Sequence, residues 1–209
     1  MEGVHIYDHP LIHHKISYLR DKETRTAQFR DLVEELSLLM AYEVLRDLPT
    51  QSVVVETPLA VADCKRVKED EIIIVPILRA GLGMVSGFQK LLPFVRIGHI
   101  GLARNEETHE PEAYYYKMPQ GLEAATVIVV DPMLATGGSA CDAIAHLKQN
   151  GAKTIKFACL IASNEGLARL HREHPDVAIY AAECDPVLND RAYIVPGLGD
   201  AGDRIFGTN

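Results

Sequence analysis

The chain has 209 residues, 47% of them hydrophobic and 24% charged, with a formal net charge of −8. That length accommodates one domain with a sizeable core, read here as 1–209, and leaves two full domains cramped. The composition excludes disorder and collagen-like order, and the acidic balance argues against nucleic acid or an anionic membrane surface as a partner.

The first ten residues, MEGVHIYDHP, lack a basic stretch followed by an apolar one and do not read as a secretory signal. The longest apolar runs are too short to span a bilayer, so a cytoplasmic protein is expected. Cys64, Cys141, Cys159 and Cys184 form no CxxC and read as buried thiols in a reducing compartment. His13 and His14 adjoin, but no HExxH or cysteine partner accompanies them.

Residues 24–46 place Phe29, Leu32, Val33, Leu36, Leu39, Met40 and Val44 at helical spacing, which predicts a long amphipathic helix ended by Pro49. A second helix is expected over 58–68. Five Val- and Ile-rich runs then follow, at Ile72–Leu78, 95–102, Thr126–Val130, 155–161 and 177–182. They barely alternate, as strands buried on both faces do. Helical segments at 83–92, 139–149 and 165–174 separate most of them, the last with Asn164 as N-cap and Pro175 as its stop. Alternating strands and helices predict an α/β fold with a parallel sheet flanked by helices and right-handed crossovers.

Two stretches break this rhythm. Residues 104–121 are polar, then carry Tyr114, Tyr115 and Tyr116, and are long for a connection, which suggests a lid or arm. The tyrosines would stack on a base or pack the arm against a second subunit. The terminus at 196–209 holds Gly197, Gly199, Gly202 and Gly207 among Asp200, Asp203 and Arg204, and reads as a shaped loop in which Asp203 and Arg204 form a surface pair. His171 and His174, three apart on a predicted helix, read as solvated.

The chemistry concentrates in 126–140, TVIVVDPMLATGGSA. An apolar strand ends on Asp131, and a run of small residues leads into a helix. Ligands of open α/β sheets sit at the carboxyl ends of strands. Small residues let backbone N–H groups approach a phosphate, the helix adds its positive end, and Thr136 and Ser139 add hydroxyl donors. The acid suits the two vicinal hydroxyls of a ribose. A tight strand-to-helix turn would also use glycines, but strand, acid, T-G-G-S and helix in series favour a ribose phosphate. Gly81, Leu82 and Gly83 with Gly87 miss the GxGxxG spacing of a dinucleotide site, and no GxxxxGK[ST] occurs.

VIVVDPMLATGGS resembles the phosphoribosyl pyrophosphate (PRPP) motif of type I phosphoribosyltransferases, and specifically its uracil phosphoribosyltransferase version. Pro132 stands where many relatives have a second acid. PILRAGLGM, 76–84, looks like the family's pyrophosphate segment, and YIVPGLGDAGDRIFGT, 193–208, resembles its uracil-binding terminus or hood. The resemblance spans nearly the whole chain and implies UMP formation from uracil and PRPP. It assigns Arg79 and Arg104 to pyrophosphate. It assigns Asp131, Pro132, Met133, Leu134, Ala135, Thr136, Gly137, Gly138 and Ser139 to ribose and 5-phosphate. Ile194, Gly199, Asp200 and Ala201 would hold uracil. Asp131, Asp200 and Arg104 would act in catalysis, with Asp200 reaching Mg²⁺ or its waters, since the family takes PRPP as its Mg²⁺ complex. A homodimer or larger homo-oligomer and a GTP effector are further implications. Two rivals remain: an RNA-binding regulator of the same fold, disfavoured by the charge, and transfer to another base.

Overall fold

The apolar runs assemble into the central layer of the molecule. In the computed structural model, which describes residues 2–104 and 111–208, they pair as a sheet in the order β1 (Val4–Ile6), β11 (Ala178–Asp185), β10 (Thr154–Ser163), β8 (Thr126–Val130), β4 (Ile72–Leu78), β6 (His99–Arg104) and β7 (Pro111–Lys117). Two short strands, β5 (Arg96–Ile97) and β9 (Met133–Leu134), join β4 and β10. Every pairing is parallel except β6 with β7.

The lack of alternation in the central strands is now explained. Ile72 and Ile74 face a core formed with α1 (Pro10–Arg20), α2 (Thr26–Val44) and α3 (Leu82–Leu91), whereas Ile73 and Val75 face one formed with α4 (Gly138–Gln149) and α5 (Asn164–Glu173). Successive side chains point to opposite faces, and both faces are covered, so every position of β4 is apolar.

Four expectations change. Residues 58–68 are not helical: β2 (Thr50–Glu56) and β3 (Val61–Val67) form an antiparallel hairpin. Val53, Val54, Val55 and Val61 favour extended backbone, and Thr57 turns the chain, its Oγ1 accepting from the N–H groups of Leu59 and Ala60. The 95–102 run is two strands, β5 and β6. The N-cap of α5 is Ser163, whose Oγ accepts from Gly166 N at 2.8 Å, with Asn164 the first helical residue. Within 104–121, residues 111–117 are strand β7, paired with β6 through an irregularity at Gly101/Leu102 where Tyr114 lies over Gly101. Residues 105–110, at the tip of the expected lid, lie outside the described residues.

Among the described residues no helix is long and apolar enough to cross a membrane. Of the cysteines, Cys141 and Cys159 are buried as expected, Cys184 is half-buried, and Cys64 is exposed on the hairpin.

Candidate active site

The sheet's winding reverses between β4 and β8. From β4 the chain runs through α3 to β5 and β6 on one side, and from β8 through α4 to β10 on the other. Between two such strands the loops at their carboxyl ends diverge and leave a crevice. Asp131 follows β8 and Ala80 closely follows β4, and both line a cavity of about 230 Å³ at this point. Gly81 makes the close approach possible, since a Cβ there would sit 2.5 Å from Val130 O.

Met133 and Ala135 line the same cavity on the β8 side. Opposite them stands the hood, built from β12 (Val187–Leu188), β13 (Ile194–Val195) and α6 (Ala201–Phe206), which contributes Tyr193, Ile194, Gly199, Asp200, Ala201 and Gly202. A second cavity of about 90 Å³ adjoins the first and shares Asp131, Met133 and Ala135 with it. Leu134, Thr136, Gly137, Gly138, Ser139 and Ala140 complete its lining. Gly137, the N-cap of α4, takes φ +77°, a left-handed conformation that favours glycine. The first N–H groups of a helix have no partner within it, so the start of α4 offers donors to this cavity.

Asp131 faces the cavity with part of its surface, yet protein packs closely around the carboxyl. Burial raises its pKa from 3.8 to about 7, against a small opposing effect of the Met133 N–H, which donates to Oδ1 at 3.4 Å. Pro132 is buried, and its carbonyl accepts from Leu160 N and Ile161 N at 3.0 Å. The backbone of Pro132 thus locks the loop to β10.

Arg79 is exposed beside the hood, its Nη2 3.7 Å from Asp203 Oδ1 and its guanidinium 5.8 Å from the Phe206 ring. Arg104 ends β6, and its side chain lies outside the described residues. Asp200 caps α6, accepting from Asp203 N at 2.9 Å through Oδ1. All the expected site residues except the two arginines and Pro132 therefore line the joined cavities.

Other expectations shift. Arg204 and Asp203 are no surface pair. The Arg204 guanidinium lies 4.3 Å from the Phe29 ring and donates to the carbonyls of Leu19, Leu198 and Asp21 at 2.6–2.8 Å. His174 is buried rather than solvated, bonded through Nε2 to Cys141 O and through Nδ1 to Lys148. Of the groups sequence reasoning missed, Arg20, Asp185 and Ser163 support the site from behind. Ser163 Oγ donates to Ala135 O at 2.6 Å while it caps α5, tying the small-residue loop after Asp131 to that helix. No local pattern marks any of the three; only Pro196-Gly197 hints at a turn needing support.

A parallel sheet with an acid-tipped strand, a glycine-rich loop opening a helix and a hood over the crevice defines a phosphoribosyltransferase of the type I architecture. Solved structures of an APRTase from Giardia lamblia (TM-score 0.52, 14% identity, 76% and 86% of the two chains covered) and a hypoxanthine-guanine phosphoribosyltransferase from Bacillus anthracis (0.52, 16%, 77% and 80%) share this fold. The AQ2163 protein of Aquifex aeolicus is far closer, at TM-score 0.92 and 36% identity over 99% of each chain. A family model described as uracil phosphoribosyltransferase matches residues 6–208. Uracil phosphoribosyltransferases of an Exiguobacterium species and of Anoxybacillus flavithermus are 60% and 57% identical over the full length of both chains. The chain belongs to the uracil phosphoribosyltransferase family.

Proposed function

We propose that the joined cavities hold the two substrates of UMP synthesis, uracil in the larger and the phosphoribosyl group of PRPP across the smaller. The observation that carries this reading is that the cavities meet at Asp131: a base on one side and a 5-phosphate on the other leave the ribose between them. Its hydroxyls then lie within reach of the Asp131 carboxylate. The N–H groups from Ala135 to Ser139 and the start of α4 bind the 5-phosphate. Arg79 and Arg104 take the pyrophosphate, for which the planar guanidinium is suited.

As the bond from C1 to pyrophosphate breaks, positive charge grows on the ribose and negative charge on the leaving group. Asp131 stabilises the first and the arginines the second. Uracil held beside C1 attacks through N1. The backbone from Ile194 to Ala201 reads its edge, and the covered crevice limits capture of the cation by water.

Among the described residues no three His, Cys, Asp or Glu side chains gather as a metal cage. Asp200 on the cavity wall, with only Oδ1 engaged in capping, fits a Mg²⁺ that arrives on PRPP and keeps most of its waters. When bound, that ion would neutralise charge on the pyrophosphate.

We further infer a homodimer. The β2–β3 hairpin stands off the sheet, and Val54, Leu59 and Val61 on it are 70–97% exposed. The face that carries Val54 and Val61 is open, and a two-stranded ribbon is marginal in water.

The test is direct: protein, PRPP and Mg²⁺ with uracil, cytosine or hypoxanthine, products separated by chromatography. UMP and pyrophosphate are expected from uracil alone. Equal turnover of another base would overturn the assignment, and adding GTP to the same assay tests the effector.

A further inference from the structure

We infer that Arg20 and Asp185 are a positioning pair for the base, holding the hood in the geometry that selects it. The inference rests on the proposed seating of the base in the hood cavity. Arg20 is the last residue of α1 and Asp185 the last of β11, 165 positions apart. The guanidinium makes two parallel hydrogen bonds to the carboxylate, Nη1 to Oδ2 at 2.6 Å and Nη2 to Oδ1 at 2.7 Å. Asp185 is 4% exposed, and a buried carboxylate needs such a partner.

The pair does more than neutralise itself. Arg20 Nη1 also donates to Gly197 O at 2.9 Å, and Asp185 Oδ2 accepts from Gly197 N at 2.9 Å. Both polar groups of one residue in the hood are therefore gripped by one ion pair. Gly197 itself is shaped for this place: φ is +56°, and a Cβ would lie 2.1 Å from Ile194 O. The next carbonyl, Leu198 O, is taken by Arg204 at 2.8 Å.

None of Arg20, Asp185, Gly197 and Leu198 lines the cavity, and the Gly197 polar groups and the Leu198 carbonyl are already engaged. Among the described residues, the N–H groups of Gly199 and Ala201 have no acceptor, and both residues line the cavity. The pair thus anchors the chain two residues before its free donors. A base presents its acceptors on one rigid edge, and a donor displaced by a fraction of an ångström loses that match. Loss of the anchor should act on base recognition and leave the phosphate loop, on the far side of Asp131, unaffected.

Removing one partner would strand a buried charge and endanger folding. Two variants avoid this. Arg20→Lys keeps the charge but cannot make two parallel bonds and reach Gly197 O as well. Arg20→Met with Asp185→Leu replaces the pair by apolar side chains of similar volume, a change that folds tolerate. For both we expect a cooperative melt, a uracil KM raised about tenfold or more, a PRPP KM within about twofold of wild type, and a uracil-to-cytosine preference in kcat/KM reduced by about tenfold. A folded variant with the wild-type uracil KM and preference overturns the inference. So does an equal rise in both KM values, or unfolding of both variants, since the pair would then serve the fold alone. Gly199→Val separates the underlying reading: at φ +82° a β-branched residue is strained and must shift the free donors on the cavity wall. If it too leaves the uracil KM unchanged, the base is bound elsewhere and the seating falls. If it raises that KM while the pair variants do not, only the inference falls.

Discussion

Asp131 is costly to the fold, and the proposed chemistry makes it useful to the reaction. Between 3.8 and about 7 the folded protein keeps a proton on this carboxyl that the unfolded chain has released. Its contribution to stability is therefore present below about pH 4 and lost as pH rises through 7. Asp131→Asn should raise the Tm at pH 8, measured by calorimetry, while turnover falls by about 10²-fold or more. Near-normal turnover would remove Asp131 from the chemistry. In the proposed role the ionised form serves the cationic ribose, so kcat/KM for PRPP should decline as pH falls below about 7. A flat profile from pH 8 to 5.5 would contradict that role. Arg79→Ala should weaken PRPP use more than uracil binding, read from KM with each substrate varied; its exposed contact with Asp203 adds little to stability. At this scale Asp131 was legible because an acid at a strand end before small residues has few structural uses. Arg20 and Asp185 were not, because their partnership joins opposite ends of the chain.

The proposed phosphate loop is part of a packed unit with α5. A Cβ on Gly166 would lie 2.5 Å from both Ala135 O and Leu134 O, and one on Gly137 would lie 3.1 Å from Gly166 O. Loop and helix touch backbone to backbone, with Ser163 Oγ as the bond between them. Gly166→Ala must push the loop from its place, and kcat/KM for PRPP should drop by roughly 10- to 100-fold in steady-state assays. Full activity would mean that the loop accommodates the change. Helix α2 and strands β4 and β8 were readable from local periodicity and branching. The β2–β3 hairpin was misread because Leu59, Ala60 and Ala62 suit a helix, whereas seven cross-strand pairs decide the outcome.

For the whole molecule, the hairpin is the element most in need of a partner. We expect sedimentation to show a dimer, and Leu59→Asp with Val61→Asp to shift it toward monomer; a monomeric wild type would leave the hairpin without this explanation. The reversal of winding between β4 and β8 is the other global feature. It places a crevice where α3 and α4 leave on opposite faces of the sheet, and so sets Ala80, Asp131 and the hood around one cavity.

The sequence by itself determined the class of fold, the strands of the centre, the small-residue loop after Asp131 and the family resemblance, because each is written in neighbouring residues: branched apolar runs, an acid, small residues, a helix start. Only the tertiary structure decided which groups support those parts. The grip of Arg20 and Asp185 on Gly197, the Arg204 bonds under the hood and the Ser163 bond to Ala135 depend on residues brought together from distant strands and helices. Such contacts carry no periodicity, so they become visible only when the chain has folded.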